Sequence, residues 1–129
     1  MNAFIIHSGA DEEFVKRHLD TMKRKVYSFN PLLLKNGGRF WKIDASKKIK
    51  KSQMIIFFVG EDSHQSQYIA WEIKEARRFN KVIIVIKLDE QFELHDALLI
   101  NDDFSGEKKY CSKSLTIEET IKKISDHSN

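Results

Sequence analysis

The chain has 129 residues, 32% of them charged, and its 22 basic against 19 acidic side chains leave a net charge of +3. That length suits one domain, 1–129, able to bury roughly two thirds of the surface its unfolded form exposes. A single cysteine, Cys111, and no Cys-x-x-Cys pair exclude a disulfide scaffold and zinc-finger modules, so no metal site is expected and a reducing, cytoplasmic setting is the natural one.

The opening stretch MNAFIIHSGADEEF has a short apolar run at 4–6, no basic segment before it and acids after it, unlike a signal peptide or a membrane span. AFIIH (3–7) is the first predicted strand, followed by a helix over 11–25. After the loop LLLKNGG, GRFWKI (38–43) is the candidate second strand, with a short helix over 46–51. MIIFFVG (54–60) is the third strand, 65–79 a helix, and KVIIVIKL (81–88) the fourth strand. ALLI (97–100) is the candidate fifth strand. A last helix over 116–126 is opened by a Thr-x-x-Glu capping box, Thr116 and Glu119.

The three strong apolar runs are β-branched, aromatic and continuous rather than alternating, as strands covered on both faces require. Alternation of such strands with helices predicts an α/β fold: a flavodoxin-like, doubly wound, mainly parallel five-stranded sheet of order 2-1-3-4-5 with helices on both faces. The basic runs KRKVYS (23–28) and KKIKK (47–51) do not alternate basic with aromatic residues, match no RNA-binding motif and read as solvated surface, so no nucleic-acid partner is expected. The sequence holds neither a P-loop nor a dinucleotide-binding glycine fingerprint.

In such a sheet a ligand sits beyond the carboxyl ends of strands one and three, where the winding reverses. Those ends are His7-Ser8-Gly9-Ala10-Asp11 and Gly60-Glu61-Asp62-Ser63-His64. On a helical wheel of 65–79, Ile69, Ile73 and Ala76 make the core stripe, Tyr68 and Phe79 extend it, and Glu72 falls inside the arc. A carboxylate there is either held by a buried ion pair or hydrogen bonds, or is functional at a cavity rim. Trp71 points the other way, among Lys74, Glu75 and Arg78, as an exposed aromatic. Trp41 is expected to plug the sheet edge. His7 and His64 flank the switch point without completing a nucleophile-base-orienter triad, and His18, His95 and His127 fall on surfaces without a role.

The segment MIIFFVGEDSHQSQYIAWEIKEARRFNKVIIVIKL (54–88) resembles the pattern of TIR-like domains, in particular the standalone bacterial type of the Thoeris antiphage-defence sensor. The pattern is an apolar strand, a Gly-Glu-Asn/Asp-Ser/Thr-His loop, a serine followed by an aromatic, Trp-Glu-Ile, an alanine and the next apolar strand. FIIHSGADEEFVKRHL (4–19) is similar to the family's first strand and loop, and the two stretches together cover less than half of the chain. The first strand ends in His7 where many members have an aromatic, and the loop after the first helix is shorter and more basic than is common.

The resemblance implies that Glu72 is the catalytic residue of NAD cleavage, with Ser8, Asp11, Asp62 and His64 lining the substrate site. NAD would be the substrate and no cofactor is needed; nicotinamide is released, and the ADP-ribose is hydrolysed, cyclised or transferred to make a signal. It further implies a homo-oligomer on activation and a separate effector protein acting in trans through that nucleotide signal, with no membrane partner. A non-catalytic TIR-like interaction module is the rival reading. A phospho-acceptor receiver domain would share the fold but needs an aspartate at the end of strand three, where the chain has Phe58-Val59-Gly60.

Overall fold

A computed structural model describes residues 1–25, 28–34, 39–61, 66–89 and 122. Four strands, β1 (Asn2–Ile6), β2 (Asn30–Leu32), β3 (Met54–Val59) and β4 (Val82–Lys87), form one sheet of order β2-β1-β3-β4. All three neighbouring pairs are parallel, with Phe4 opposite Leu32 and Ile55, and Ile56 opposite Ile84. The helices are α1 (Glu12–Lys25), α2 (Trp41–Lys51) and α3 (Gln67–Arg78), with a 3-10 turn at Gly9–Asp11 ahead of α1. The predicted doubly wound α/β architecture is therefore present; the candidate fifth strand at 97–100 and the last helix at 116–126 lie outside the described residues.

The continuous apolar runs are explained by burial on both sides. Successive side chains alternate between two cores: Phe4, Ile6, Ile55, Phe57 and Val59 meet α2 and α3 through Ala45, Ile49, Ile69, Ile73 and Ala76. Ala3, Ile5, Ile56, Phe58 and Ile84 meet α1 through Val15, Leu19 and Met22. With period 2 along each strand and an apolar layer on either face, no strand position can be polar without a partner.

The second strand is not at 38–43. It is β2, three residues containing Pro31, at the sheet edge, where one side needs no ladder donor and proline is tolerated. The described part of that segment, 39–43, instead runs into α2, because Trp41, Ala45 and Ile49 recur at helical spacing and face the core. Lys48 reaches back to Asp44 at 3.1 Å across one turn, and its ammonium also donates to the Leu33 carbonyl at 3.0 Å, tying α2 to the segment after β2. The predicted helix over 46–51 is thus the second half of a longer one. Among the described residues no helix is long and apolar enough to cross a membrane.

Candidate functional site

The carboxyl ends of β1 and β3 meet where the sheet order predicts a switch point. At the end of β1, Ser8 caps the 3-10 turn: its Oγ accepts from the Ala10 amide at 3.3 Å, and its carbonyl accepts from the Asp11 amide at 3.0 Å. This turn aims the Asp11 carboxylate at Gly60, one residue past β3. A Cβ added to Gly60 would overlap Asp11 Oδ2 and lie 2.7 Å from Oδ1. Ser8 and Asp11 are therefore brought together with the start of the third loop. Asp62 and His64 lie outside the described residues.

His7 Nδ1 lies 2.8 Å from the Ser8 carbonyl; the tautomer protonated at Nδ1 donates there and leaves Nε2 open as an acceptor. His7 lines a cavity of about 550 Å³ with Glu12, Lys16, Leu32, Leu34 and Lys48, between α1, the edge strand and α2.

Glu72 sits in the middle of α3, whose start is fixed by Ser66: its Oγ accepts from the Ile69 amide at 3.2 Å. The residue is 7% exposed, among the core-facing positions Ile69, Ile73 and Ala76. Burial pushes its carboxyl up from the ordinary 4.5 to about 8, because desolvation disfavours the anion. Among the described residues no hydrogen bond or ion pair reaches it, and none joins it to Ser8 or Asp11. Of the two readings open from the sequence, a buried ion pair and a group held for function, the first has no partner among the described residues.

The wheel misplaced several neighbours of Glu72. Tyr68, expected to extend the core stripe, is 62% exposed. Trp71 is half-buried rather than exposed, because α2 packs across it: the Trp41 and Trp71 rings meet edge to face at 5.0 Å, and Trp41 and Tyr68 lie 5.1 Å apart. Trp41 therefore stands on a helix and not at a sheet edge. Glu75, assigned to the charged face, is 8% exposed and accepts from Arg78 at 3.1 Å. The aromatic trio, with Lys42 and Lys74, walls a cavity of about 520 Å³. Sequence reading missed this cluster because its members come from two helices; the helical spacing of Trp41, Ala45 and Ile49 was the available signal. Among the described residues no three potential metal ligands converge.

A family model described as "Thoeris protein ThsB, TIR-like domain" matches residues 41–93, a stretch that spans α2, β3, α3 and β4 and includes Glu72. No curated protein matches the chain.

Proposed function

We propose that the chain, whose residues 41–93 match the TIR-like domain of Thoeris protein ThsB, serves in antiphage defence as an enzyme that cleaves NAD at Glu72. One observation carries the reading: a glutamate buried on α3 with no partner among the described residues. Folding around such a group costs several kcal/mol when it is charged, and a positively charged ligand brought beside it would recover that energy. The nicotinamide ring of NAD is such a cation.

The chemistry needs little beyond this. The bond from ribose C1′ to the ring nitrogen breaks, and its electron pair leaves with a now neutral nicotinamide, so no acid is required at the leaving group. Positive charge moves onto the ribose, where an adjacent carboxylate stabilises it as it develops. Approach of the cationic ring lowers the Glu72 pKa, so binding itself generates the anion that the transition state uses. Water, or a hydroxyl of the ADP-ribose itself, then adds to C1′ and loses a proton. Ser8 and Asp11, with Asp62 and His64, are the groups proposed to line the nucleotide site. A nucleotide product would act on a separate effector, and assembly of several copies would accompany activation.

The test is chromatography of nicotinamide and nucleotide products after concentrated protein is incubated with NAD, wild type beside Glu72→Gln. The expected result is release by the wild type and a loss of at least about 100-fold in the variant. Release that survives the substitution rejects Glu72. A non-catalytic interaction module is supported by the aromatic cluster between α2 and α3; it predicts no release from either protein and loss of defence on substitution of Trp71.

A further inference from the structure

The outer face of α2 and α3 has a composition that neither the family nor the NAD chemistry explains. Besides Tyr68, two of the large hydrophobic side chains most exposed to solvent stand at the start of α2: Phe40 is 66% exposed and Ile43 55%. Beside them, the aromatic cavity of about 520 Å³ and a second of about 320 Å³ share Lys42 and Trp71 in their walls, so they lie side by side along the two helices as a grooved face.

Its charge is one-sided. Lys42 holds its ammonium 5.8 Å from the centroids of both Trp41 and Trp71, and Lys50 lies over Phe79 at 5.3 Å. Lys47 and Lys74 are exposed and make no hydrogen bond or ion pair among the described residues. The two carboxylates nearby are already engaged, Asp44 with Lys48 and Glu75 with Arg78, each at 3.1 Å. Lysines that look merely solvated in the sequence thus stand beside aromatic walls and exposed apolar side chains.

We infer that this groove is a docking site for an acidic polypeptide segment carrying apolar anchors. Charge complementarity sets the sign of the partner: Lys42, Lys47, Lys50 and Lys74 attract carboxylates and repel a basic ligand. The anchors follow from Phe40, Ile43 and the Trp71 wall, which gain by removal from water against apolar side chains. A concave groove between two helices accommodates a protruding chain rather than a planar lipid surface. The rings of Trp41 and Trp71 are packed edge to face on each other, an arrangement less suited to receiving stacked bases than an open ring face.

The experiment uses the full chain and a fluorescein-labelled peptide rich in glutamate with tryptophan and leucine anchors, read by fluorescence anisotropy. Controls are the same peptide with its acids changed to glutamine, the same peptide with its anchors changed to serine, an RNA oligonucleotide, and vesicles of phosphatidylglycerol and phosphatidylcholine. The acidic, anchored peptide should bind at least about tenfold more tightly than either altered peptide, and added salt should weaken it. Lys47→Glu combined with Lys74→Glu should weaken it about tenfold or more, and Ile43→Ser several-fold, with circular dichroism unchanged. Equal affinity for the glutamine peptide, indifference to the lysine reversals, or preference for RNA or vesicles over the peptide would each overturn the inference.

Discussion

The Asp11 carboxylate fills the space that a side chain at residue 60 would occupy, so the first loop and the end of β3 are locked at the switch point by the absence of a Cβ on Gly60. The need is for room, since Gly60 does not have a positive φ. Gly60→Ala should therefore destabilise the chain by about 1 to 3 kcal/mol, the range for overpacking, although alanine restricts the unfolded backbone more than glycine does. Urea denaturation of Gly60→Ala, Asp11→Ala and the double variant is the check. A double variant less destabilised than the sum of the two single ones shows that the carboxylate is what the methyl meets; strict additivity refutes it.

Glu72 predicts a pH dependence with a definite sign. Its carboxyl titrates near 4.5 when unfolded and about 8 when folded, so between these values the folded chain holds a proton that the unfolded chain has lost. Stability contributed by keeping that proton is fully present below 4.5 and is lost as pH rises through 8, by an amount on the order of a few kcal/mol. Glu72→Gln, which stays neutral, should flatten the profile and be more stable than wild type above pH 8. Thermal melts from pH 5 to 9 decide it, and parallel profiles for the two proteins would reject the desolvated state of the carboxyl.

Why some features were legible in the sequence and others were not follows from the distances over which their causes act. The three long strands were readable because burial on both faces makes each one apolar along its own length. β2 was not, because three residues with a proline at an edge carry no periodicity. Phe40 and Trp41 looked like strand residues by composition, whereas the helical repeat of Trp41, Ala45 and Ile49 decides their state. Glu72 could be found from its own helix, since its neighbours on that helix form the core stripe. The burial of Glu75 and the half-burial of Trp71 arise from α2 lying across α3, a tertiary fact that no single-helix wheel contains.

The end of α3 rests on a left-handed residue. Asn80 has φ 56, its amide donates to the Arg77 carbonyl at 2.9 Å, and the Lys81 amide donates to the Ala76 carbonyl at 3.0 Å, which together close the helix and turn the chain into β4. Asparagine tolerates this conformation, glycine adopts it without strain and a β-branched residue resists it. Asn80→Gly should be neutral or stabilising by up to about 0.5 kcal/mol, and Asn80→Val destabilising by about 1 to 2 kcal/mol. Equal stability of the two variants by urea titration would mean that the turn is not held in this form.

Trp41 and Trp71 are the two tryptophans of the chain, and they touch. Rings 5.0 Å apart at 73° couple their electronic transitions, so the near-ultraviolet and far-ultraviolet circular dichroism should contain a tryptophan pair signal that either Trp41→Phe or Trp71→Phe removes. The same contact joins α2 to α3, the helix that carries Glu72. Because both rings are half-buried, Trp71→Ala should cost about 2 to 3 kcal/mol, somewhat less than truncation of a fully buried aromatic, and the double-variant cycle with Trp41→Ala should give about 0.5 to 1.5 kcal/mol of coupling. If the two substitutions prove additive and the paired signal is absent, α2 does not cross α3 as described, and the groove proposed as a docking site loses its wall.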